Sequence, residues 1–245
     1  MKMRTLLLGV SSVLWLSVSA YAADSASAPK QNFFPAEPLG IKMSVKMVGP
    51  YMEPADLQII CLFKHKASGD NYLGAAKDTD EKLSGILSSI RNRGEFVGEL
   101  GETFFFTPKK GSIPAKTFMI VGLGEEKDLS LDSLKVVGRI AAREAVRLKA
   151  KHVAWAPVIR DEGNSTIEVG AGDRTFTEAM LSAYDTEKRL QDQGLAPKFS
   201  IETFVIEAGP SFFDSAVKEV GEGIESEVTA LKQRETAPYA TTKSK

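Results

Sequence analysis

A single cysteine, Cys61, in 245 residues excludes an intrachain disulfide, the usual staple of small exported chains. Cys61 sits in the apolar run Leu57-Gln58-Ile59-Ile60-Cys61-Leu62-Phe63, where a thiol packs as a small buried hydrophobe. Histidine is nearly as scarce. With only His65 and His152, and no His-Glu-x-x-His helix, the chain lacks the convergent imidazoles and carboxylates that a two-metal centre requires. Basic runs are missing too: 31 Lys and Arg face 32 Asp and Glu without clustering, which argues against nucleic acid or an anionic membrane surface as partner. There is no internal repeat and no Gly-x-Ser-x-Gly elbow; Ser84-Gly85 and Ser112 stand in ordinary helix and turn contexts. Accordingly no catalytic, metal-binding or cofactor-binding residue is assigned, and no cofactor is expected.

The one long apolar run lies at the start. Lys2 and Arg4 precede an apolar stretch over residues 6–18, and Ala20-Tyr21-Ala22 puts small residues three and one positions before Ala23. That is the pattern of a cleaved secretory signal, and the run is too short for a spanning helix, which needs roughly 18 or more residues. The junction Ala20, Ala22 and Ala23 thus marks residues 1–22 as a signal peptide. The protein is expected to be exported, to the periplasm or beyond, with no stable membrane anchor.

Residues 23–40 mix Ser, Ala and Pro and read as a flexible lead-in. A globular unit of single-domain size follows over residues 41–236, then a polar tail, 237–245. Alternation of Ile41, Met43, Val45 and Met47 with polar neighbours predicts a half-exposed strand, and residues 57–63 a strand covered on both faces, the two making the sheet's first pair. Asp78 with Glu81 predicts a capped helix over residues 83–91, closed at Gly94. Strands are predicted over 103–107, 117–121, 152–156 and 199–206, with a long helix near 131–148. The polar, glycine-rich stretch 161–174 reads as a loop. Thr175 with Glu178 caps a helix through about Gln193, and Ser211 with Asp214 caps a last one. Strands alternating with helices predict an α/β fold, a three-layer α/β/α sandwich with a mixed, largely parallel sheet.

Several weaker signals read as structural. The acidic pairs Glu125-Glu126 and Asp161-Glu162 are ordinary loop or helix-start acids. His65 is placed at a strand end and His152 at a strand start. Gly122-Leu123-Gly124 lacks the third glycine of a dinucleotide fingerprint, and Glu125, Glu126 and Asp128 would repel a phosphate.

The order of segments carries more. Residues 83–93, Gly94-Glu95-Phe96-Val97-Gly98, Gly101-Glu102-Thr103, then Met119-Ile120-Val121-Gly122-Leu123-Gly124-Glu125-Glu126 and residues 134–145 resemble the N-terminal domain of the leucyl aminopeptidase family. Residues 179–188 resemble that domain's closing helix, with Ala183 and Thr186 departing from its Gly-x-Tyr-x-Phe pattern. The resemblance covers nearly all of residues 42–235 and implies a macro-domain-like fold. For full-length members it implies a dinuclear metallopeptidase that forms hexamers. Their Asn-Thr-Asp-Ala-Glu-Gly-Arg stretch does not occur among these 245 residues, so the expected role is a non-catalytic interaction or binding module. Two alternatives stand beside it: a subunit of a split metalloaminopeptidase, and a macro-like binder of a nucleotide-derived ligand. The partner is then a catalytic aminopeptidase subunit or a second copy of the chain. By resemblance the last helix leads into the catalytic domain, which makes Val217, Val220, Ile224, Val228 and Leu231 a candidate interaction stripe.

Export is tested at the terminus. N-terminal sequencing of the protein from the envelope fraction should begin at Ala23; an intact Met1 in the cytosol would refute the signal assignment.

Overall fold

Five parallel strands with crossover helices need two apolar helical layers to cover them, and the chain supplies both. The computed structural model describes residues 28–234; the signal segment with its Ala20, Ala22 and Ala23 junction and the tail 237–245 lie outside the described residues. Among the described residues the sheet comprises β1 (Gln31–Phe33), β2 (Lys42–Lys46), β3 (Leu57–Leu62), β4 (Thr103–Phe106), β5 (Thr117–Gly122), β6 (His152–Ala156) and β7 (Thr203–Glu207). Their order is β1-β2-β7-β6-β3-β5-β4. The edge strands β1 and β4 run antiparallel to their neighbours and the inner pairings are parallel. The expected mixed, largely parallel α/β/α sandwich is the observed fold.

Helices α1 (Gly74–Lys82) and α2 (Ile86–Asn92) cover one face, and α3 (Leu131–Arg147), α4 (Val169–Asp192) and α5 (Phe213–Gln233) the other. Alternation within β3 serves both: Ile59 and Cys61 enter the core beneath α3, α4 and α5, while Ile60 and Leu62 enter the core beneath α1 and α2. All six β3 residues are buried, each large apolar side chain contributing about 1.5–3 kcal/mol. On the larger side Phe176 of α4 stacks on Trp155 of β6, ring centroids 3.6 Å apart.

Several expectations are corrected. Residues 31–40 are not a loose lead-in: β1 pairs with β2, and Phe34, whose N–H reaches the Met43 carbonyl, packs on the core. This pairing, with β7 on the other side, makes β2 more buried than a half-exposed strand. The parallel partner of β2 is β7, not β3, because the crossover order inserts β7 and β6 between them. Asp78 lies inside α1; Ser84 and Gly85, both with positive φ, separate α1 from α2, and Asp80 accepts the Leu87 N–H at the start of α2.

The glycine-rich stretch 161–174 is largely not a loop. A short 3-10 helix spans Val158–Glu162, and α4 begins at Val169. Gly170 and Gly172 are small because neighbours crowd them: an added Cβ would lie 2.5 Å from Ser215 Oγ and 2.9 Å from Leu134 Cδ1 respectively. Helix α4 is capped by Glu168, which accepts the Ala171 N–H, and Thr175 is buried one turn in, bonding the Ala171 carbonyl. At the start of α5 neither Ser211 nor Asp214 caps; Asp214 takes Lys30 at 2.7 Å instead.

The tightest crossing is at Gly138 of α3, where a Cβ would sit 2.5 Å from the Phe176 carbonyl oxygen of α4. Gly138→Ala should therefore lose about 1–3 kcal/mol in chemical denaturation, the usual range for overpacking. At an exposed helix position the same change gains up to about 1 kcal/mol. A stabilised variant would show that the helices can part without cost.

Candidate functional site

Parallel α/β sheets place their ligands outside the carboxyl ends of the strands, and here a cleft of about 510 Å³ opens at the ends of β2, β6 and β7. Ala156 and Glu207, the last residues of the adjacent strands β6 and β7, come to it from the sheet. The turn after β2 adds Met47, Tyr51 and Met52; α1 adds Gly74 and Asp78; the 3-10 helix adds Arg160 and Asp161. Phe212 comes from the start of α5 and Val169 from the start of α4.

Its charged groups are unequally occupied. Asp161 is spoken for: Oδ2 accepts the Ala76 N–H at 3.1 Å, and its backbone carbonyl accepts the Leu73 N–H. This carboxylate holds the first turn of α1, and a Cβ on Gly74 would collide with it at 2.5 Å. Burial raises the Asp161 carboxyl above its usual range, against the helix N–H bonds that favour its charge. Tyr51 donates to Asp78 at 3.3 Å. Arg160 gives its guanidinium to the carbonyls of Asn164 and Ile167 at 3.2 and 2.7 Å and lies over the Phe212 ring.

Glu207 is different. It is 3 % exposed; its Oε2 accepts Gln58 Nε2 at 2.9 Å, and its Oε1 has no partner. Lys46, opposite it in register, is paired with Glu53 at 2.6 Å. Burial pushes the Glu207 carboxyl up to about 8; the Gln58 bond and Lys46 oppose the rise and Glu53 adds to it.

A second polar cluster closes the end of β3. Arg91, fully buried, donates Nε to Asp70 Oδ2 at 2.5 Å and Nη2 to Asp70 Oδ1 at 3.0 Å and to the Phe63 carbonyl at 2.7 Å. Glu162 accepts the Phe63 N–H at 2.8 Å, so side chains take both backbone groups of the residue after the strand. Burial alone would raise the Asp70 carboxyl, but Arg91 and His65 outweigh it and hold it below the usual range. Burial raises Glu162 to about 7, against the Phe63 bond and the Arg91 charge. His65 belongs to this clamp through Asp70 at 3.0 Å, and its placement as a mere strand-end residue missed that.

The other sequence candidates are dispersed. Glu125 and Glu126 pair with Lys64 and Lys66, His152 reaches Thr203, and Cys61 is buried with its thiol pushed up by burial. Gly122 is a packing glycine: an added Cβ would lie 2.0 Å from the Glu99 carbonyl. In the proposed stripe, Val220 and Ile224 are core residues and Val217 and Val228 pack against that core. Only the outer end stays open, where Val228 and Leu231 line a shallow groove with Pro38 and Leu39. Glu207 and Arg91 went unnoticed in the sequence; an acid ending an apolar strand was the one available signal for Glu207.

A carboxyl protonated in the fold and ionised in the unfolded chain stabilises fully below the unfolded value of 4.5, and this contribution fades as pH rises towards about 8. Denaturation midpoints of wild type and Glu207→Gln should therefore diverge over that window, the wild type losing ground as pH rises. Parallel profiles would show Glu207 to be ionised in the fold.

Residues 59–188 match the model of the cytosol aminopeptidase family, N-terminal domain. A probable cytosol aminopeptidase of Alkaliphilus oremlandii is 34% identical over 134 residues, 55% of this chain and 26% of that protein. One from Geotalea uraniireducens is 40% identical over 112 residues, 45% of this chain and 22% of that protein. The chain thus spans about a quarter of the length of the curated relatives it matches. Among solved structures, a tomato leucine aminopeptidase mutant aligns over 85% of this chain and 37% of its own, with TM-score 0.53 and 18% identity. An Oceanobacillus iheyensis macrodomain with ADP aligns over 82% of this chain and all of its own, with TM-score 0.60 and 9% identity. Identities this low speak for the fold alone, which is macro-domain-like. With more than half of its length matching the family's N-terminal domain, this chain belongs to the cytosol aminopeptidase family.

Proposed function

We propose that this protein is an exported binding module of the cytosol aminopeptidase family, engaging a ligand or partner rather than cleaving peptides by itself. The cleft at the strand ends carries this reading: it has the size of a small-molecule site and holds a buried acid with an unused oxygen. Metallopeptidase chemistry asks for several carboxylates or imidazoles converging on one cavity. Among the described residues no three His, Cys, Asp or Glu side chains are grouped to hold a metal ion. The acids near the cleft serve instead as a helix-start acceptor, a tyrosine acceptor and a half-satisfied strand-end carboxyl.

A second reading, a regulatory or structural subunit of a split metalloaminopeptidase, is favoured by the open groove beside Val228 and Leu231. It predicts that a catalytic chain copurifies and that Leu231→Asp, at a half-buried position, weakens the association. A nucleotide-derived ligand is suggested only by the macrodomain with ADP. The acids of the cleft, Asp78 and Asp161, and an Arg160 turned to the carbonyls of Asn164 and Ile167 speak against a phosphate there.

The purified mature chain should not hydrolyse Leu-anilide substrates with added zinc or manganese. Turnover that copurifies with the protein and is abolished by a chelator would overturn the binding-module reading.

A further inference from the structure

We infer that the cleft beside Glu207 receives a primary ammonium group carried on an apolar or aromatic body. This deepens the binding-module reading and rests on it, adding the chemical class of the ligand.

The first observation is an unsatisfied acceptor. Buried polar atoms in native structures nearly always have partners, and leaving one without any is costly. Glu207 Oε1 lacks one, on a residue that ends β7 and lines the cleft. A carboxyl oxygen without a donor, once ionised, calls for a group that has N–H bonds and no lone pair, which an ammonium is.

The second observation is the charge around it. Lys46 is the cation best placed to neutralise Glu207, yet Glu53 holds it at 2.6 Å. Asp78 and Asp161 also border the cleft, whose one guanidinium, Arg160, donates to backbone carbonyls. The balance left to a ligand is acidic, so an anion is repelled and a cation attracted.

The third is the rest of the lining. Met47, Met52, Tyr51 and Phe212 supply adaptable thioethers and aromatic rings, surfaces that suit an apolar body and an adjacent cation. Before the ligand arrives, burial keeps the Glu207 proton in place near neutral pH. On binding, that proton passes to the buffer and the carboxylate pairs with the ammonium.

The test is an amide-resolved NMR titration of the mature chain with three probes: phenethylamine, phenylacetate with the same ring and opposite charge, and ADP. Phenethylamine should saturate in the millimolar range or tighter, shifting the amides of residues 46–52 and 207–209. Glu207→Gln should weaken it at least about tenfold. Met52→Lys, a half-exposed position that places a cation at the mouth without touching the core, should weaken it as well and covers the case of a misfolded Gln variant. The inference is overturned if phenethylamine does not saturate, if both variants bind it like wild type, or if phenylacetate binds as well. ADP shifting the same amides while phenethylamine fails would sink the ammonium class and leave the binding-module reading intact. Turnover in the peptidase assay would sink that reading independently of any titration.

Discussion

The approach of α3 to α4 at Gly138 is the constraint on which the rest of the architecture depends. A glycine there lets the Phe176 carbonyl sit where a side chain would begin, so α4 settles close enough for Phe176 to stack on Trp155. Such a stack adds about 0.5–1.5 kcal/mol beyond the area it buries. The same seating brings Gly170 and Gly172 against α5 and Leu134. It also fixes where α4 begins, and with it Val169 at the edge of the cleft. Arg174 then ties α4 to Glu222 of α5 at 2.9 Å.

The polar interior divides into groups with partners and groups without. Arg91 and Asp70 form a bidentate pair with further bonds to the Phe63 carbonyl and His65, which satisfies most of what their burial removes. Deleting one partner of such a pair costs about 3–5 kcal/mol, because the other charge is stranded. Asp173 on α4 is the opposite case: fully buried, both oxygens without partners, its carboxyl raised well above the ordinary range by burial and by nearby Glu168. Glu207 stands between them, half satisfied and beside open space. That combination, rather than burial alone, is what the proposed binding role rests on.

Family membership and cleft bear on different questions. The family describes a domain that makes up about a quarter of the matched curated relatives and 37% of the tomato enzyme. Peptide hydrolysis by those whole proteins does not pass to this domain by fold likeness, since one fold hosts many functions. The residues at the strand ends, among them Asp78, Asp161 and Glu207, have to be read from this chain itself.

Much of the fold was legible because hydrophobic periodicity is local. Alternation and apolar runs placed β2, β3, β5 and β6, and the 3.6-residue apolar spacing placed α3. The misreadings share a cause. Glycines at positions 170 and 172 look like a loop until α5 and Leu134 press on them, and Asp78 looks like a cap until Asp161, 83 residues away, starts α1 earlier. The stripe on α5 looked free because local periodicity does not show that α4 and the distant β2 fold against it. Composition and pattern by themselves determined the α/β class, the export signature, the family resemblance and the scarcity of metal ligands. Strand order, the Arg91–Asp70 clamp and the place of Glu207 in the lining of a cleft were decided only in three dimensions, because each depends on distant segments meeting and no local periodicity encodes which segments those are.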